Sequence, residues 1–229
     1  MMETNTLPSF LAPYGEAILN WRFGRYDSFC GQNYGMADAY YETAISLVDI
    51  CIKDNRDKKA DAWIFPIMFH VSQFIELYLK GIRGQLSILS NPNLCESDID
   101  FQKGSHNLTL LLNDVKRMIS ETPGLCCDPS WLGTVENYIS ILNANIDDYE
   151  GETDFTFARY PTTRNKKGTS KTTTQFYNSV SKNVYLNLSI YKRWIEETYD
   201  SLDGLSSYVS ELLSNLRDMR SDCWGGDHQ

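Results

Sequence analysis

Gln73, Glu76, Lys80 and Arg83 follow one another at steps of three, four and three residues, the spacing that puts side chains on one face of a helix. On 3.6 residues per turn the four fall within about 80° of each other. Ile67, Val71, Phe74, Ile75, Tyr78, Leu79 and Ile82 cover the rest of the surface. So apolar a helix belongs in a core, where a charge must reach water along its seam or meet a partner from elsewhere in the chain. Glu76 and Lys80, in the favourable i to i+4 order, read either as a structural ion pair or as catalytic groups. In the second case the carboxylate orients an imidazole or guanidinium, and the ammonium neutralises phosphate charge.

The group to be oriented comes from two other segments. His106 and Asn107 lie at the start of a helical pattern, where free N–H groups and the positive dipole end suit a phosphate or carboxylate beside a histidine that exchanges protons near neutrality. The plainer reading is that both residues cap and pack locally. Between residues 159 and 171, Arg159, Arg164, Lys166, Lys167 and Lys171 give a basic stretch in an acidic chain, suited to an RNA backbone or simply to a solvated loop. Tyr160 and Pro161 should fix the backbone beside Arg159, making it the member of this set expected to point inward. His70 falls on the apolar side of its helix and reads as a satisfied core histidine. The acidic run Asp147, Asp148, Glu150, Glu152 and Asp154 matches no calcium-loop spacing, so no metal or cofactor is expected.

The elements that must position these groups are helical. Residues 36–52 repeat apolar positions at three and four (Ala37, Tyr40, Tyr41, Ala44, Leu47, Val48, Cys51). The second helix is expected from about residue 65, with Pro66 in its first turn, to about Leu89, where Asn91-Pro92-Asn93 stops it. A third spans 107–120 with Ser105 as its N-cap, and a fourth starts near Asp128-Pro129-Ser130. Residues 151–175 read as a loop insertion with a short hairpin around 155–160. A heptad-like seam from Leu188 to Met219 implies a long final helix packed at a shallow angle on a neighbour in the same chain or a second one, with Gly204 a place where it could kink. The expected architecture is all-α: about five main helices in one domain over 33–220, after an irregular arm at 1–32 and before a tail at 221–229.

Composition narrows the classes further. With 229 residues and 42% apolar content the chain can build a generous core. No stretch approaches the roughly 20 uninterrupted apolar residues of a membrane span, and the N-terminus lacks a secretory profile, so a cytoplasmic protein without membrane contact is expected. Six cysteines without Cys-x-x-Cys spacing suggest reduced thiols. A net charge of −9 argues against nonspecific coating of nucleic acid. Gly-rich phosphate loops, Gly-x-Ser-x-Gly elbows and His-Glu-x-x-His motifs are absent.

Three segments together resemble the HEPN superfamily of prokaryotic helical proteins: Phe65-Pro66-Ile67 running into Ile75-Glu76-Leu77-Tyr78-Leu79-Lys80, then Ser105-His106-Asn107-Leu108, then Ala158-Arg159-Tyr160-Pro161. The resemblance covers about residues 36–215. It implies a helical bundle, often dimeric, belonging to toxin–antitoxin or phage-defence systems whose members include metal-independent ribonucleases. The superfamily's catalytic signature, an Arg followed four to six residues later by His, does not occur at His70, His106 or His228. Two functions follow as expectations. One is a non-catalytic binding or regulatory module, dimerising through its C-terminal helix and recognising RNA or a protein from its own operon. The other is a ribonuclease in which His106 is the acid or base, Arg159 and Lys80 stabilise phosphate charge, and Glu76 orients one of them. Asn107, Arg164, Lys166 and Lys167 are the remaining candidates for holding phosphate.

Overall fold

A computed structural model describes residues 28–101, 106–122, 124–127, 129–144, 162–164, 170–172 and 186–224. Five α-helices account for most of them: α1 (Phe29–Lys53), α2 (Lys59–Ser90), α3 (Leu108–Glu121), α4 (Gly133–Ala144) and α5 (Leu188–Trp224). The chain is an all-α bundle, with a small antiparallel hairpin, β1 (Thr162–Arg164) with β2 (Ser170–Thr172), that pairs Thr163 with Lys171. The expected hairpin at 155–160 lies outside the described residues.

The second helix is the axis of the molecule, packing against α1, α3 and α5. Ile67, Val71, Phe74, Ile75, Leu79, Ile82 and Leu86 are fully buried along it, and each large apolar side chain removed from water contributes about 1.5–3 kcal/mol. By length and composition α2 could cross a membrane; its central place in the bundle accounts for the same apolarity.

Several boundaries differ from the expectation. Helix α1 begins at Phe29, inside the stretch read as arm, because Ser28 caps it: its Oγ accepts from the Gly31 N–H at 2.9 Å. Helix α2 begins at Lys59, not near residue 65. Lys58 takes a left-handed turn (φ 56°), and the side chains of Asn55 and Asp57 accept from the N–H groups of Ala60 (2.9 Å) and Lys59 (3.2 Å), satisfying the new helix's free donors. Pro66 therefore sits in the helix interior. The carbonyl it leaves unpaired, that of Ala62, is on the exposed side with Pro66 itself, so solvent can take it. His70 is satisfied but only half-buried, with Nδ1 2.6 Å from the Pro66 carbonyl and the ring beside Tyr40 and Phe69; it is not a core residue.

Between Ile195 and Leu213 the heptad-like seam is consumed within the chain. Ile195, Thr198, Leu202, Leu205, Val209 and Leu213 are buried, and Thr198 satisfies its hydroxyl on the Trp194 carbonyl at 2.8 Å. Helix α5 passes through Gly204 unbroken and runs to Trp224, past the expected boundary at 220.

Two glycines separate close approach from mere flexibility. At Gly81 a methyl group would strike the ring of Tyr34, which is pinned by its hydroxyl donating to Gln85 Oε1 at 2.7 Å; at Gly204 a methyl would meet open space. Gly81→Ala is expected to destabilise by about 1–2 kcal/mol, overpacking outweighing the gain in helix propensity. Gly204→Ala is expected to stabilise by about 0.5–1 kcal/mol. Chemical denaturation of both variants checks the opposite signs.

Candidate functional site

The polar stripe of α2 faces the start of α3. Asn107 caps α3, its Oδ1 accepting from the Leu110 N–H at 3.0 Å, and Leu108, 1% exposed, anchors the first turn in the core. This corrects the expected cap, since Ser105 lies outside the described residues while Asn107 performs the task; its carboxamide oxygen is spent on the helix. With Asn107 and Leu108 fixed, His106 is set just outside α3 and over α2.

There His106 Nδ1 lies 3.0 Å from both carboxylate oxygens of Glu76, and Lys80 Nζ lies 2.8 Å from Glu76 Oε1. Glu76 and Lys80 are each 4% exposed, whereas the His106 side chain is 45% exposed. A carboxylate this buried is tolerable only because the ammonium compensates it and both partners are hydrogen-bonded. An ionised Glu76 can only accept, so the ring must donate from Nδ1. In its neutral form the imidazole therefore offers a lone pair at Nε2, for which no partner is found among the described residues. A partly exposed imidazole oriented through its other nitrogen by a buried carboxylate is a group built to take or give a proton.

The geometry separates the candidate residues. Glu76, Lys80 and His106 meet. Lys80 is spent on Glu76 and too buried to touch a phosphodiester, so its role is that of a structural partner. Arg83, 5% exposed, turns to the other side of the same junction. Its Nη2 donates to the Asp100 carbonyl at 2.6 Å, its Nη1 stands 4.0 Å from Asp114 Oδ2, and burial pulls its basicity down. Gln73 Nε2 is buried without a partner among the described residues. Arg159, Lys166, Lys167 and the acidic run 147–154 lie outside the described residues; Arg164 and Lys171 occupy facing strands of the hairpin. Among the described residues no group of three or more His, Cys, Asp or Glu side chains could hold a metal ion.

One polar centre was not visible in the sequence. Asp38 of α1 accepts from the hydroxyls of Tyr78 (2.7 Å) and Tyr199 (3.0 Å), with Asp203 3.3 Å from Tyr78 and the ring of Tyr41 stacked on Tyr199 at 3.8 Å. Burial, with the nearby carboxylates, pushes both phenols up, Tyr199 to about 12. They remain neutral donors that lock α1, α2 and α5 together. Tyr78 reads from spacing as part of the apolar cover. The one signal for such a centre is that a tyrosine at a core position buries a hydroxyl and so demands an acceptor.

A cavity of about 150 Å³ lined by Ile88, Leu94, Glu96, Leu213, Leu216 and Arg217, among others, lies at the far end of α2 and shares no residue with the Glu76 site. Comparisons with protein-family models, with curated proteins and with solved structures find no significant match.

Proposed function

We propose that this protein is a HEPN-like helical member of a prokaryotic defence or toxin–antitoxin system, and that the Glu76–His106 pair performs proton transfer in metal-independent cleavage of RNA. The observation that carries the reading is the buried carboxylate spanning Nδ1 of a half-exposed imidazole at 3.0 Å. Lys80 already compensates the charge of Glu76, so the imidazole is not needed to balance it.

In the reaction, His106 Nε2 takes the proton from a ribose 2′-hydroxyl as that oxygen bonds to phosphorus. The phosphorus to 5′-oxygen bond breaks, and the departing oxygen is protonated from solvent. A 2′,3′-cyclic phosphate and a 5′-hydroxyl result, with general base catalysis contributing about 10²–10⁴-fold. The protein would act in the cytoplasm, with RNA as substrate and an operon-encoded protein as its control.

A specific observation favours the second reading, a non-catalytic binding or regulatory module. Lys80 and Arg83 are both turned inward to protein partners, so neither offers a fixed cation to phosphate. In either reading a homodimer would be built on the turns of α5 beyond Leu213, around the exposed Met219, because the earlier seam is buried in the chain's own core. Incubating the purified protein with structured and unstructured RNAs in EDTA discriminates the two. Products ending in 2′,3′-cyclic phosphate support the enzyme, and intact RNA that is nonetheless bound supports the module.

A further inference from the structure

The cavity of about 150 Å³ lies where the end of α2 and the segment that follows it meet the last turns of α5, and its walls are of two kinds. Ile88, Leu94, Leu213 and Leu216 form an aliphatic floor, with Leu213 buried. Glu96 and Arg217 add one carboxylate and one guanidinium to the same space. Among the described residues Arg217 has no hydrogen-bond or ion-pair partner, so the two opposite charges face one cavity without meeting. Glu96, by contrast, is fixed in place. Its Oε1 accepts the Cys30 N–H at 2.9 Å, and the buried Cys30 thiol donates to the same carboxylate. A carboxylate has about four acceptor positions, so room remains for an ammonium. We infer that this cavity binds a small zwitterion with a branched aliphatic body, an α-amino acid of the size of leucine, its ammonium on Glu96 and its carboxylate on Arg217.

Size and polarity both select this class. An apolar cavity of this volume holds a body of about six carbons, and an isobutyl group fits within it with the charged head left at the mouth. There Glu96 is partly exposed and Arg217 is exposed. A guanidinium presents paired donors matched to a carboxylate, which suits the anionic end of the ligand. A simple carboxylic acid would answer Arg217 and bring a like charge to Glu96; a simple amine would do the reverse. Only a zwitterion satisfies both walls. Because the occupant joins α5 to the segment after α2, binding should also raise the thermal stability of the protein. The inference does not depend on RNA cleavage, since it uses neither Glu76 nor His106.

The test is calorimetric titration of the full chain with L-leucine, beside isocaproate, which lacks the ammonium, isoamylamine, which lacks the carboxylate, and glycine, which lacks the body. Leucine is expected to bind saturably, about tenfold or more tighter than each of the three, the loss that follows when a charged hydrogen bond or the apolar contact is missing. Arg217→Gln, at an exposed position, and Glu96→Gln, which keeps an acceptor for the Cys30 N–H, should each weaken leucine by about tenfold or more, with circular dichroism unchanged. Leu216→Phe, which fills the floor, should abolish binding. Should Glu96→Gln fail to fold, Arg217→Gln carries the test. Absence of saturable leucine binding at millimolar concentration overturns the inference. So does isocaproate or isoamylamine binding as tightly as leucine, and so does a folded Arg217→Gln with undiminished affinity.

Discussion

Glu76→Ala is expected to lower the unfolding free energy by about 3–5 kcal/mol in urea titrations. The carboxylate is the partner of an ammonium only 4% exposed, and alanine leaves that charge buried with nothing to compensate it. A neutral His106 could offer Lys80 only a single lone pair, which does not compensate the buried charge. Glu76→Gln keeps an oxygen for Lys80 and falls between. The double variant Glu76→Met with Lys80→Met removes both charges at nearly constant volume and is expected to lie within about 1 kcal/mol of the unaltered protein, or above it. The contrast is a double-variant cycle with a large coupling between the two residues. A mild Glu76→Ala would mean that the pair is hydrated and that the seam is a surface feature.

His106→Ala is expected to do the reverse. The ring is nearly half exposed and its removal lets water reach the Glu76 oxygen it had bonded, so stability should change by about 1 kcal/mol or less. The rate of RNA cleavage in EDTA should fall by about 10²–10⁴-fold, as should toxicity on expression. Circular dichroism beside a cleavage assay separates the two effects. His70→Ala is the control: its Nδ1 is taken by the Pro66 carbonyl one turn back on α2, and no change in cleavage is expected.

The fold was legible because its signals are periodic. The three-and-four pattern over α1, the apolar cover of α2 and the seam of α5 each span many turns and survive errors at their ends. The ends were less legible because side chains outside the helix decide them. Asn55 and Asp57 start α2 seven residues before Pro66, and Ser28 starts α1 inside the segment read as an arm. Chemistry pointed to a partner for Glu76 from elsewhere in the chain, since a charge on so apolar a helix needs one, and left His106 and Arg159 as alternatives. The division of labour was not legible. Spacing placed Lys80 beside Glu76 either as a structural ion pair or as a group for phosphate charge, and the burial of both decides for the ion pair. The bridge from Asp38 to Tyr78 and Tyr199 joins residues up to 161 apart in sequence, and no local pattern encodes such a contact.

The account turns on Glu76 making His106 a proton-transfer group, and the folded double variant Glu76→Met with Lys80→Met isolates that step, because it keeps the histidine and the core while removing the carboxylate. Its single-turnover rate of RNA cleavage without metal, set beside that of the unaltered protein, is predicted to be lower by at least about 100-fold. Cleavage at an undiminished rate by this variant would contradict the account.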